Sequence, residues 1–192
     1  MNSKPTQTPA RRTRISTRDL VLTGMSAALL AVISQISLPM PTGVPITVQI
    51  FGAALVGAVL GSRLGFWAVI VYTLLGAAGL PIFAGFRGGL EVITGFTGGY
   101  LWSRPLMVIF CGIRPHTGNK LFDRLLLFFF PILGTILNEI AGGLQWAALS
   151  GDMSAWGVFA YSMVAFVPKD ILLTVLAVAA ASPIRRAISH IR

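Results

Sequence analysis

The sequence predicts an all-α integral membrane protein of six transmembrane helices, with both chain ends on the cytoplasmic side. Three observations carry this. The 192 residues are 55% apolar and 11% charged, whereas soluble domains are about 25% charged. The apolar residues gather into six runs close to the ~20 residues that cross a ~30 Å hydrocarbon core. The cations avoid one set of connecting segments, as they do on the non-cytoplasmic side of a membrane. A mean hydropathy of +0.79 agrees. A soluble globular domain and a disordered tail are excluded. With one cysteine, so is a disulfide scaffold. Cys111, His116 and His190 share no ligand spacing, so no metal is expected.

The first span is read as Leu20 to Leu38, the second as Ile46 to Leu60 and the third as Leu64 to Ile82. The fourth is Phe96 to Ile113 and the fifth Leu125 to Leu149. The sixth, Trp156 to Ser182, contains Pro168-Lys169-Asp170. All are helices, because an open sheet cannot satisfy its backbone in lipid. Pro168 lacks an amide proton and clashes with the preceding turn, which predicts a kink or break there and a freed helix start at Lys169-Asp170.

Six crossings place both termini on one side. That side then holds Lys4, Arg11, Arg12, Arg14, Arg18, Arg63, Arg114, Lys120, Arg124, Arg185, Arg186 and Arg192. The opposite connections, 40–44, 81–94 and 150–155, contain Arg87 as their one cation. The net charge of +9 is therefore membrane anchoring, not a nucleic-acid footprint. Arg11-Arg12 precedes a long apolar run without a small-residue cleavage site, so a retained helix is read, not an export signal. The chain divides into a mobile basic segment 1–17, one membrane domain 18–185 and a basic tail 186–192. Gly24, Ala27, Ala28 and Ala31 put small residues on adjoining stripes of helix 1, which allow another helix to approach closely.

Ionisable residues inside spans are costly and point to function. Lys169 and Asp170 interrupt span 6, Glu139 lies in span 5 beside Asn138, and Arg104 lies in span 4. At ~1.5 Å per residue, Arg104 and Glu139 each lie about 10 Å below the outer surface. The matched depth predicts a structural Arg104–Glu139 ion pair. The loop after span 3 is rich in glycine yet apolar, from Gly79-Leu80-Pro81-Ile82-Phe83-Ala84-Gly85-Phe86-Arg87-Gly88-Gly89 to Thr97-Gly98-Gly99-Tyr100. A flexible linker is hydrophilic, so this loop is read as ordered backbone folded against something.

Val44-Pro45-Ile46-Thr47-Val48-Gln49, Gly79 to Gly85 with Gly88-Gly89, and Thr97-Gly98-Gly99-Tyr100-Leu101 together resemble the BioY family. These are the substrate-binding S components of energy-coupling-factor (ECF) biotin transporters. Gly143 with Trp146, and Phe166-Val167-Pro168 followed by Asp170, add to the resemblance, which covers about residues 20 to 182. It implies an S-component bundle in a bacterial or archaeal cell membrane, with a cavity near the extracellular side closed by the loops after helices 1 and 3. It also implies biotin as transported substrate, no cofactor, and a coupling transmembrane protein with two ATPases as partners. The chain has no GxxxxGK[ST] phosphate loop and is read as a transport subunit, not an enzyme. In S components small-residue motifs on helix 1 face the coupling subunit, which implies that role for Gly24, Ala27, Ala28 and Ala31. Three positions depart from the family pattern. Lys169 stands where the family commonly has glycine, and Leu173 where it has lysine. Arg87 stands where a neutral residue is often found.

Biotin's chemistry can be matched to these residues. Its carboxylate needs a cation, for which Arg87 and Lys169 are candidates. The ureido N–H groups need an acceptor, such as Asp170. The ureido oxygen needs donors, which Thr47, Gln49 or Asn138 can supply. Phe83, Phe86, Tyr100 and Trp146 can enclose the thioether ring. Rival readings are an S component for another small vitamin or modified base, an intramembrane enzyme, and a solitary proton-coupled carrier using Glu139. No catalytic motif supports the enzyme.

Overall fold

A computed structural model describes residues 16–151 and 154–189. Lys4, Arg11, Arg12, Arg14, Asp152, His190 and Arg192, and with them nearly all of segment 1–17, lie outside the described residues. Helix α1, Thr17–Ser34, starts at Ser16, whose hydroxyl accepts from the Arg18 amide. It stops earlier than its apolar run. Leu38 precedes Pro39 and Val44 precedes Pro45, and a residue before proline avoids the helical region. Ser37–Leu38 (β1) instead pairs antiparallel with Ile46–Thr47 (β2), Ser37 opposite Thr47. The second helix, α2, is therefore Gln49–Leu60 and not a run from Ile46.

Helix α3, Ser62–Ala77, ends before Gly79, whose φ of +103° no helix accepts. The expected span to Ile82 is thus cut short. A five-residue helix within the loop, α4 at Leu90–Thr94, was not expected. Helix α5, Gly98–Cys111, takes the place of span 4. Helix α6, Lys120–Leu149, begins five residues before Leu125, because Asn119 caps the amides of Leu121 and Phe122. Helix α7, Ala155–Ser189, runs unbroken through Pro168 and Pro183. The predicted break at Pro168 does not occur. Lys169 and Asp170 sit mid-helix with no freed helix start, and the helix continues past residue 185.

The larger helices neighbour one another in the order α1, α3, α5, α6, α7, α2 and back to α1, with α2 also against α3 and α5. Helix α2 is thereby central: Gln49, Ile50, Gly52, Ala53, Val56 and Gly57 are all buried. Close approach is made through missing side chains. A Cβ at Gly57 would lie 2.7 Å from the Val108 carbonyl of α5, the kind of contact that lets helices associate in lipid. By length and composition α1, α6 and α7 can cross a membrane. The helices α2, α3 and α5 span about 18, 24 and 21 Å at ~1.5 Å per residue, less than the ~30 Å core.

The small-residue face of α1 divides. Ala27 is buried and Ala31 packs against the same core, so both serve contacts within the chain. Gly24 and Ala28 are exposed, and a Cβ at Gly24 would meet nothing within 4 Å. They share an outward stripe with exposed Val21, Met25 and Val32.

Candidate functional site

A cavity of about 400 Å³ lies between one end of the bundle and the loops that cover it. Its wall is helical. Gln49 and Ile50 come from α2, Tyr100, Leu101 and Arg104 from α5, Glu139 from α6, and Phe166, Lys169 and Asp170 from α7. Its roof is the β1–β2 hairpin, including Met40, Val44, Pro45 and Thr47, and the segment Phe83 to Arg87.

The roof is tied down by the end of α1. Ser34 Oγ donates to the Ile82 carbonyl at 2.5 Å. Gln35 Nε2 donates to the carbonyls of Ile82 and Phe83, both at 3.2 Å, while its Oε1 accepts from the Phe86 amide at 2.9 Å. The Gly89 amide closes the loop onto the Gly76 carbonyl at 2.7 Å. Gly76 is required on steric grounds, since a Cβ there would lie 2.2 Å from the Phe83 ring. That ring packs edge-on against Tyr72, centroids 5.5 Å apart. Tyr72 Oη in turn donates to the Ile82 carbonyl at 3.1 Å and accepts from Gln49 Nε2.

Of the residues expected at the site, Asp170, Lys169, Arg87, Gln49, Thr47, Tyr100 and Phe83 border this cavity. Three others do not. Phe86 is 72% exposed at a φ of +56°. Gly85 and Phe86 are successive left-handed residues, and that turn carries the ring away from the cavity while its amide serves Gln35. Asn138 lies behind the wall, where its Oδ1 accepts from Ser103 Oγ at 3.0 Å and its Nδ2 donates to Glu139 Oε1 at 3.3 Å. Trp146 backs the aromatic wall, with its ring 6.2 Å from Phe166 and 5.9 Å from Tyr161.

The charged residues also differ from expectation. No ion pair within 4 Å joins Arg104 to Glu139; at the cavity it is Lys169 and Asp170 that close on each other. Both Arg104 and Glu139 face the cavity instead of meeting across a helix contact. Lys169 and Asp170 are neighbours ~100° apart around α7. The long lysine stem bends back over the Phe166 ring, 5.8 Å from its centroid, and Nζ also donates to the Thr47 carbonyl at 3.1 Å. The pair therefore links α7 to the hairpin.

Arg104 is 4% exposed and Glu139 1%. Arg104 Nε and Nη1, Glu139 Oε2 and Tyr100 Oη are buried without hydrogen-bond partners, and all belong to residues bordering the cavity. Thr73 Oγ1 is the other such atom among the described residues. Buried polar groups are nearly always paired. Three residues with unmet polar atoms around one cavity mark a space built for a polar guest. Sequence reasoning missed Arg104 and Glu139 as lining residues, and it missed Gln35 and Phe166. The available signal was an uncompensated charge in each of two spans.

Residues 5–190 match the model of the BioY family. The chain is 34% identical over 171 residues to the biotin transporter BioY of Rhizobium etli, covering 85% of this chain and 90% of that protein. It is 33% identical over 172 residues to the biotin transporter BioY of Rhodobacter capsulatus, covering 83% and 88%. The match to the probable biotin transporter BioY of Pyrococcus horikoshii, 42% over 96 residues, spans 50% of this chain and 59% of that protein. The fold is similar to the crystal structure of the S-component for biotin from an ECF-type ABC transporter. That likeness has a TM-score of 0.74 at 21% identity and covers 92% of this chain and 95% of that one. The chain belongs to the BioY family.

Proposed function

We propose that this BioY-family chain is the biotin-binding membrane subunit of an ECF vitamin uptake transporter, delivering substrate together with a coupling transmembrane protein and two ATPases. In this reading it crosses a bacterial or archaeal cell membrane six times with both termini in the cytoplasm, and the roofed cavity faces outward. The observation that carries the proposal is the cavity itself. Its ~400 Å³ lies within the ~300–1,000 Å³ typical of small-molecule sites, and its wall offers unmet donors and an unmet acceptor beside aromatic rings.

Biotin suits this lining. Phe83, Tyr100 and Phe166 form an apolar surface for the thioether ring. Thr47 and Asp170, beside the roof, are available to the ureido group, donor to acceptor. Lys169 is committed to Asp170 and the Thr47 carbonyl, so it holds that end of the cavity in shape. The exposed Gly24 and Ala28 stripe of α1 is the surface we assign to the coupling subunit.

Isothermal calorimetry of the purified chain against biotin, thiamine, riboflavin and lipoic acid tests the proposal. We expect saturable one-to-one binding of biotin and none of thiamine or riboflavin. Tight binding of a different vitamin, with biotin inert, would overturn the substrate. Uptake into cells that lack the coupling protein and ATPases, at the same rate as in complete cells, would overturn the assembly.

A further inference from the structure

We propose that Arg104 anchors the carboxylate of the bound molecule, so that biotin sits arm first and the cavity selects a free monocarboxylic acid over its neutral derivatives. The inference deepens the functional reading above and rests on it.

The guanidinium of Arg104 carries five N–H donors, yet among the described residues it donates to no acceptor and forms no ion pair. A buried cation left in this state is expensive, and a carboxylate is the group that relieves it most, through two parallel charge-assisted bonds. Tyr100 stands four residues earlier on α5 and so on the same helix face. Its unpaired hydroxyl supplies a further donor to the same oxygens. The unpaired Nε and Nη1 lie on different edges of the planar group. One edge can hold the ligand while the other turns toward Glu139, which faces the cavity from α6.

The two rival cations are worse placed. Lys169 is already bonded to Asp170 and to the Thr47 carbonyl. Arg87 is exposed on the roof and also borders an outer crevice with Glu91, Thr94 and Phe96, where water and salt screen its charge. A carboxylate meets the open donors of Arg104 with a full negative charge; an amide or ester does not.

The test is calorimetry of biotin and biotin amide on the wild-type chain and on Arg104→Gln, Arg104→Lys and Arg87→Gln. The wild type should prefer the free acid by about a hundredfold, the ratio that ~2.7 kcal/mol confers. Arg104→Gln should lose at least about a hundredfold for the acid and no more than about threefold for the amide, so the preference collapses. Arg104→Lys should fall between, and Arg87→Gln should keep the preference. If Arg104→Gln weakens acid and amide equally, or if Arg87→Gln is the variant that abolishes the preference, the anchor is wrong. Should Arg104→Gln not fold, the wild-type ratio decides: equal affinity for acid and amide overturns the anchor while leaving biotin as substrate. Wild-type binding of neither compound overturns the functional reading and the anchor with it.

Discussion

Two couples of opposite charge border the same cavity and behave differently. On the α7 side Lys169 and Asp170 are sequence neighbours that close on each other, and the lysine adds a bond to the hairpin carbonyl of Thr47. On the α5–α6 side Arg104 and Glu139 line the same cavity and do not close. In the first couple Asp170 is buried but Lys169 is 27% exposed, while Arg104 and Glu139 are both almost wholly buried. A protein that needed only stability would reverse this arrangement, since desolvation penalises the buried couple more. The contrast separates a structural pair, which joins helix to roof, from a pair with unmet polar atoms, which in the proposed reading is receptive to the ligand.

Breaking the receptive couple should have the largest effect, the hundredfold or greater loss of biotin affinity in Arg104→Gln, about 2.7 kcal/mol by calorimetry. Breaking the structural couple comes next. Asp170→Asn removes the counter-ion of Lys169 and should weaken biotin about tenfold to thirtyfold. It should also lower the melting temperature in detergent, a stability loss that Arg104→Gln should not share to the same degree. If Arg104→Gln destabilised the unliganded chain more than Asp170→Asn, the division of roles would be reversed.

Two smaller perturbations act on the roof. Gly76→Ala drives a methyl into the Phe83 ring, and overpacking of this kind costs about 1–3 kcal/mol. A lower melting temperature should appear together with weaker binding. Gln35→Ala removes the ties to Ile82, Phe83 and Phe86, each worth about 0.5–1.5 kcal/mol. Stopped-flow fluorescence should then show biotin leaving several-fold faster with its charge contacts intact. The smallest effect is expected of Phe86→Gly, which removes a side chain that does not border the cavity and relieves a positive φ. Affinity should change less than about twofold, with stability unchanged or raised by up to about 1 kcal/mol.

How far this was readable beforehand differs from residue to residue. The helices were legible because their apolar runs are long, and Arg104, Glu139, Lys169 and Asp170 were legible as costly residues because so few charges lie within those runs. Helix ends were misjudged where apolar residues continue past a proline: Ile36 to Leu38 and Ile46 to Val48 are as hydrophobic as helix but build a hairpin. Pro168 was overweighted, since the long α7 carries it without a break. The turn that points Phe86 outward depends on a tie to Gln35, 51 residues earlier, which no local pattern contains.

By itself the sequence determined the membrane class, the order of the helices along the chain and which helix carries each buried charge, because hydropathy is written along the chain. The tertiary structure alone decided which way those charges point. Lipid and protein interior are both apolar, so hydropathy does not tell the two apart, and the rotation of α5 that turns Arg104 toward the cavity is settled by packing. Glycine notches such as Gly57 against Val108 and Gly142 against Tyr100 hold the helices in that orientation.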